Sequence, residues 1–388
     1  MKLLFARLGR CAAGMALCAL ALSACTRAQA PVVFIAEGKP DHLSDWHLMA
    51  VEQGHLALNT KVVPYQLNTP LFTDYALKLR TIWMPPGKTA RYDAEASFDF
   101  PVGTILSKTF YYPRDPAGGK ALLASSDSSG LGGDRLDLDK VRLIETRLLV
   151  RRADGWTALP YVWNESQTDA VLQRTGEQIP LELVRSDSSR HGLTYVVPNV
   201  NQCASCHVAD LKSHQFQPLG PKARHLNRDA SHEGITSNQL DYLAAIGYLA
   251  GAPSPAKAPR NADWSDSKAS LDARARAYLD INCAHCHNDK GAANTTALHL
   301  NIGAPHDLHL GLCKPPVAAG AGTGGYQYDI FPGKPDASIM AFRLATAETG
   351  VMMPELGRGS VHAEGLALIR AWIGAMKDSC NDKSNASQ

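Results

Sequence analysis

The stretch VRLIETRLLVRRADGWTALPYVWN, residues 141–164, decides the fold. It holds two runs rich in branched and aromatic residues, 141–152 and 156–163, on either side of Asp154-Gly155. A two-residue Asp-Gly between such runs predicts a β-hairpin, because both turn positions need a positive φ. Working outward, GTILSKTFYYP (103–113), IPLELVRS (179–186) and LTYVVPNV (193–200) add further strand-like segments. Residues 61–200 therefore read as a largely antiparallel β-region.

That region runs into NVNQCASCHVADLKSH, residues 199–214, with two cysteines separated by two residues and a histidine directly after the second. DINCAHCHND, residues 280–289, repeats the arrangement. C-x-x-C-H is the attachment signature of c-type haem: two thiols join the two vinyl groups, and the adjacent histidine is placed under the iron. The expectation is two covalently attached c-type haems, on Cys203 and Cys206 and on Cys283 and Cys286, with His207 and His287 as iron ligands. A zinc ribbon separates its cysteine pairs by about 15–20 residues. Here Cys206 and Cys283 are 77 positions apart, and zinc requires no histidine after each pair. A thioredoxin-like redox pair would likewise not need the histidine.

The chain of 388 residues, 45% hydrophobic and 20% charged, has globular composition and room for two or three domains. It opens with MKLLFARLGRCAAGMALCALALSAC. Lys2, Arg7 and Arg10 precede an apolar run over 11–22 that is short for a bilayer span, the pattern of a secretory signal. Leu22, Ser23 and Ala24 before Cys25 resemble a bacterial lipobox, which implies removal of 1–24 and lipidation of Cys25. Removal takes away three positive charges and no acidic ones, so the formal charge moves from +2 to −1. A nucleic-acid partner then has no electrostatic basis. The expected place is the periplasmic side of a bacterial membrane, with the lipid bilayer held through the acylated N-terminus. Thr26, rather than Asp, after Cys25 favours the outer membrane.

Six cysteines remain after Cys25, and four of them belong to the two C-x-x-C-H motifs. An oxidising compartment then predicts a disulfide between the other two, Cys313 and Cys380, pinning the Pro/Gly-rich segment 311–325 to the C-terminal tail.

The two motifs have different approaches. The first follows a strand. The second ends SLDARARAYLDINCAHCH, where Leu271, Ala275, Tyr278 and Leu279 recur at helical spacing after a cap at Ser270. EGLALIRAWIGAMKD places Leu366, Ile369, Ile373 and Met376 on one helical face, Asp336 reads as another helix cap, and GVMMPELGR (350–358) lies between them. Helix, C-x-x-C-H, Met-Pro and a closing amphipathic helix together resemble the class I cytochrome c fold over residues 265 to about 380. That resemblance implies an all-α domain in which Met353 supplies the second axial ligand, with Met352 as the neighbouring alternative. The β-rich body, FPVGTILSKTFYY, the DGW hairpin and the first C-x-x-C-H look like the cytochrome c-prime-beta fold, in which the far side of the iron is open. The whole pattern, from LNTPLFTDYALKLRTIWMPPG to MMPELGR, resembles a family of uncharacterised two-haem exported proteins.

The expected class is thus α+β multidomain, a β-rich N-terminal haem domain followed by an all-α class I cytochrome c-like domain. The boundaries read are 1–24 signal, 25–250 β-rich domain, 251–264 Pro/Ala-rich linker and 265–382 second haem domain. The far ligand of the first haem stays open between a histidine (His214 or His225), a methionine (Met84, or the less suggestive Met49), and none. Asp134, Asp137 and Asp139 read as a solvated acidic loop, since an EF-hand's spacing is missing. Three functions follow: electron transfer with redox partner proteins in the envelope; a haem enzyme acting on peroxide, nitric oxide or hydroxylamine at an open first haem; or a gas sensor.

Overall fold

The computed structural model describes residues 29–126, 135–208, 210–232, 234–318 and 320–380. Its centre is a six-stranded antiparallel sheet of β1 (Val63–Tyr65), β2 (Leu77–Trp83), β3 (Ile105–Pro113), β4 (Val141–Arg152), β5 (Gly155–Trp163) and β6 (Ala170–Leu172). These lie side by side in chain order, an up-and-down meander. The β4–β5 hairpin pairs Arg152 with Gly155, so the turn residues are Ala153 and Asp154, one position earlier than the Asp-Gly reading. Gly155 takes φ 137°, which side chains rarely adopt, and so serves as the first paired residue.

Both faces of the sheet are covered. On one, Ile105, Leu148, Val150, Leu159 and Tyr161 pack against Leu43, Trp46, Leu48 and Leu56 from the N-terminal segment. Trp46 is fully buried and its Nε1 donates to the Tyr161 hydroxyl at 2.8 Å. Burying a side chain of that size, roughly 150–250 Å², stabilises by about 4–6 kcal/mol at 25 cal/mol/Å². The other face carries two separate clusters. Leu106 and Ile82 pack with Phe98, Phe100, Leu226 and Leu240. Phe110 and Tyr112 pack with Leu181, Leu183 and Tyr195 of a second hairpin, β7 (Glu177–Val184) and β8 (Arg190–Val197).

Six α-helices follow β8: α1 (Val200–His207), α2 (Ala223–Leu226), α3 (Gln239–Ala245), α4 (Leu271–Asn282), α5 (Ile339–Ala345) and α6 (Ala363–Ala375). Ser270 caps α4, its hydroxyl accepting from the Ala273 amide. Ala275, Tyr278 and Leu279 of α4 bury against Leu368, Ile369, Trp372 and Ile373 of α6. Asp336 caps no helix: it lies in a 3₁₀ turn, Pro335–Ala337, and pairs with Arg370, while α5 starts after Ser338. Asp137 pairs with Lys140 at 3.2 Å, and Asp134 lies outside the described residues.

The expected α+β division, a β-rich domain followed by an all-α class I cytochrome c-like domain, is overturned. The described residues form sixteen strands against six α-helices, and those from Val32 onward make one compact unit. Beyond residue 264 only α4, α5 and α6 are helical, of 12, 7 and 13 residues, joined by irregular chain and short 3₁₀ turns. No all-α domain stands there among the described residues. The physical reason lies in residues 66–75 of the β-region, which run along the C-terminal elements and are hydrogen-bonded to them. The Phe72 amide donates to Asn282 at 2.9 Å, and Asp74 accepts from the Gly359 and Ser360 amides. Helical periodicity in the sequence reports a local apolar face, and here part of what covers that region comes from a loop far away in the chain, between β1 and β2.

A buried polar knot holds α4 to α2. Asp280 accepts from Arg224 Nε (2.8 Å) and Nη2 (3.2 Å), Asn261 Nδ2 (3.0 Å) and the Ile302 amide (3.1 Å). His225, 1% exposed, stands 3.4 Å from the same carboxylate, and burial pushes its ring down to about 3 in spite of Asp280. The folded chain therefore stays unprotonated there while the unfolded chain, titrating near 6.5, takes up a proton. Stability from this residue is complete above about pH 6.5 and falls by roughly 1.4 kcal/mol per pH unit on acidification toward pH 3. His225→Gln is expected to flatten the pH dependence of urea unfolding by about one proton over that window; an unchanged slope would show that His225 does not titrate this way.

Candidate functional site

A cleft opens on the second face of the sheet, between the two clusters there. Counted out to open solvent it encloses about 1660 Å³. Its floor comes from β2 to β5 (Arg80, Leu106, Lys108, Arg147, Leu149, Ala158), one wall from α1 and residues 218–221, and the other from α4 and the loop 354–358.

The first motif lies on α1, which starts two residues after β8 ends because Asn199 accepts from the Gln202 amide as N-cap. Cys203, Cys206 and His207 line the cleft. The second motif follows the C-terminus of α4, and the chain leaves it in a tight turn. A Cβ at Gly291 would stand 2.4 Å from the Cys286 carbonyl oxygen, so only glycine fits. The two motifs meet. Cys286 Sγ donates to the Ser205 carbonyl at 3.6 Å, the Cys206 thiol touches the Cys286 thiol and the His285 ring, and the Leu211 amide donates to the Lys290 carbonyl at 3.0 Å. The hydrogen bond with Cys286 pushes the Cys206 thiol down and Cys286 up, so Cys206 is the first of the pair to ionise. All four motif cysteines are unbridged.

Each motif histidine is held in one tautomer. His207 Nδ1 donates to the Gln217 carbonyl at 2.8 Å. His287 Nδ1 lies 3.2 Å from Thr296 Oγ1, whose own proton goes to the Ala293 carbonyl, so the ring nitrogen is the donor. Nε2 of both rings is thereby left as the free lone pair, the arrangement found in metal-ligating histidines. Burial, with Lys108 next, pushes His207 down to about 4; burial, with His285 next, does the same to His287. Both rings are neutral at pH 7, the form that ligates. No three His, Cys, Asp or Glu side chains form a metal-holding group among the described residues. A haem iron needs only one or two protein ligands; the unbridged cysteines and free Nε2 atoms of both motifs fit that group, and at the first motif the cleft does too, whereas Cys283, Cys286 and His287 do not line it.

Met353 lies in the loop over the cleft. Its amide donates to the Arg343 carbonyl, and its carbonyl accepts from Arg358 Nη2 at 2.8 Å. A cis peptide bond joins it to Pro354, which lines the cleft; neither Met353 nor Met352 is among the lining residues. Of the residues weighed for the far side of the first haem, Met49 and Met84 are packed in the two cores, His214 is exposed and His225 is engaged with Asp280. None of the four lines the cleft. Cys313 and Cys380 are joined by a disulfide, Cα–Cα 5.3 Å, and Cys25 lies outside the described residues. No helix among the described residues is long and apolar enough to cross a membrane.

Sequence reading missed the cleft's cations, Arg80, Lys108, Arg147 and Arg358, and its buried His362, and took Tyr278 only as part of a helix's apolar face. A signal existed in LKLRTIW (77–83) and ILSKTFYY (105–112), where a cation interrupts an otherwise apolar strand. No protein-family model, no curated protein and no solved structure matches this chain.

Proposed function

We propose that this chain is a two-haem c-type cytochrome that passes electrons between envelope partners, with the first haem in the cleft and the second beside it. The observation that carries the reading is the meeting of the two C-x-x-C-H motifs at Cys206 and Cys286. Cys203 and Cys206 would hold one haem and Cys283 and Cys286 the other, with His207 and His287 offering Nε2 to the irons. Bound haem supplies a one-electron redox couple whose potential the protein tunes through ligands and surroundings. Gln217 and Thr296 orient the two rings, while Leu67, Leu149, Pro198 and Leu219 exclude water from the cleft. Met353 or Met352 is the proposed second ligand at His287. Redox proteins are the proposed partners, and acylated Cys25 is the proposed anchor to the outer membrane.

A second reading, a haem enzyme or gas sensor with an open first iron, is favoured by one observation: Met49, Met84, His214 and His225 all lie away from the cleft. One preparation separates the two. A pyridine haemochrome assay of the purified mature protein is expected to give two haems per chain, and fewer than two overturns the cofactor assignment. The reduced spectrum is then recorded with carbon monoxide. No change supports the sealed electron carrier; a shift of half the haem signal overturns it in favour of the open site.

A further inference from the structure

Strands β2, β3 and β4 set three cations in one cross-strand row: Arg80 is paired with Lys108, and Lys108 with Arg147. Like charges directly opposite one another destabilise a sheet, and all three side chains line the cleft. Arg358 adds a fourth cation to the lining, and none of the lining residues is Asp or Glu.

The nearby acids are already engaged. Glu145, fully buried, accepts from Arg147 Nε (2.8 Å) and Nη2 (2.5 Å) and from the Tyr195 hydroxyl (2.6 Å). Asp74 is taken by Gly359 and Ser360. Lys108 has the face of Phe110 at 5.2 Å, a ring it shares with Lys78 and Arg147. Arg80, only 7% exposed, makes no side-chain hydrogen bond or ion pair with any described residue. A buried guanidinium without an anion is costly, and its planar fork matches a carboxylate. Burial, with Arg147 and Arg80 next, pushes Lys108 down to about 7, offset only in part by Glu145. The row stands beside the first motif: Lys108 acts electrostatically on His207 and Arg147 on Cys203.

We infer that Arg80, Lys108 and Arg147 form a carboxylate-binding end of the cleft, filled by the propionates of the haem attached at Cys203 and Cys206. The inference rests on the haem reading above. A porphyrin is apolar but for its two propionates, which suits a cleft of leucine and proline walls with cations on one stretch of its floor. A free carboxylate entering the cleft is the other source of the same chemistry.

The test uses the full, haem-loaded chain with Arg80→Gln, Arg80→Lys and Lys108→Gln, each first counted for haem so that failure of the cofactor reading shows separately as a count below two. Resonance Raman then reads the propionate-bending band of the first haem, and acetate is titrated against its absorbance. Expected are two haems per chain, a displaced band in Arg80→Gln and Lys108→Gln with partial return in Arg80→Lys, and no saturable acetate effect on the wild type. An unmoved band with saturable acetate binding that Arg80→Gln abolishes overturns the propionate assignment in favour of a free carboxylate. An unmoved band without acetate binding overturns the carboxylate site altogether. The two glutamine variants act on different strands, so misfolding of one leaves the other to decide.

Discussion

Asp280→Ala is expected to cost about 3–5 kcal/mol of stability, because it removes one partner of a buried ion pair and leaves the other charged and dry. The carboxylate is 5% exposed and accepts four hydrogen bonds, from Arg224 twice, Asn261 and Ile302. Burial alone would raise its pKa, but the hydrogen bonds and charge of Arg224, with Lys222 behind, hold it below the usual carboxylate value. A depressed carboxylate contributes stability above its unfolded pKa and loses it as pH falls through the folded one. The loss in Asp280→Ala should therefore be full at pH 7 and shrink below pH 4. Urea unfolding at both pH values checks this. A loss under about 1 kcal/mol at pH 7 would mean that Arg224 finds another acceptor, its Nη1 bond to the Glu95 carbonyl being the one in place.

Loss of the Cys313–Cys380 disulfide is the second large effect. The bond closes a loop of 67 residues, for which the chain-entropy estimate is about 4 kcal/mol. It ties the segment after Leu312, which bridges Ile330, to the chain end beyond α6. Wild type in reductant and the double variant Cys313→Ser/Cys380→Ser should unfold at the same lowered urea concentration, and reductant should leave the double variant unmoved. Equal stability of wild type and double variant would overturn the entropic account, residual structure in the unfolded chain then restricting residues 313–380 as much as the bond does.

What the sequence made legible follows from how local each cause is. The hairpin at Arg152–Gly155 was readable because Asp-Gly turn chemistry and two branched runs are neighbours in the chain; only its register by one residue was not. The helix into Cys283 was readable from Ser270 and the spacing of Ala275, Tyr278 and Leu279. Cys203, Cys206, His207, Cys283, Cys286 and His287 could be picked out as a group because their spacing is contiguous. The class of fold was misread because the partners of α4 include Arg224, Phe72 and Asn261, whose contact with it no local pattern announces. The cation row failed for the same reason: Arg80 and Lys108 sit 28 positions apart and become neighbours only through β-sheet register.

Residues 66–75 have a kinetic consequence. Gln66 bonds to Gln239, Thr69 to Ala262, Phe72 to Asn282, Asp74 to Ser360 and Tyr75 to Glu364, across sequence separations of 173 to 289 residues. Contacts of such long range slow folding, since the intervening loop must close before they form. During synthesis this early segment waits, solvated, until nearly the last residue has emerged. The side of the cleft that Leu71, Phe72 and Thr73 help to line is therefore completed only after these distant partners have joined it.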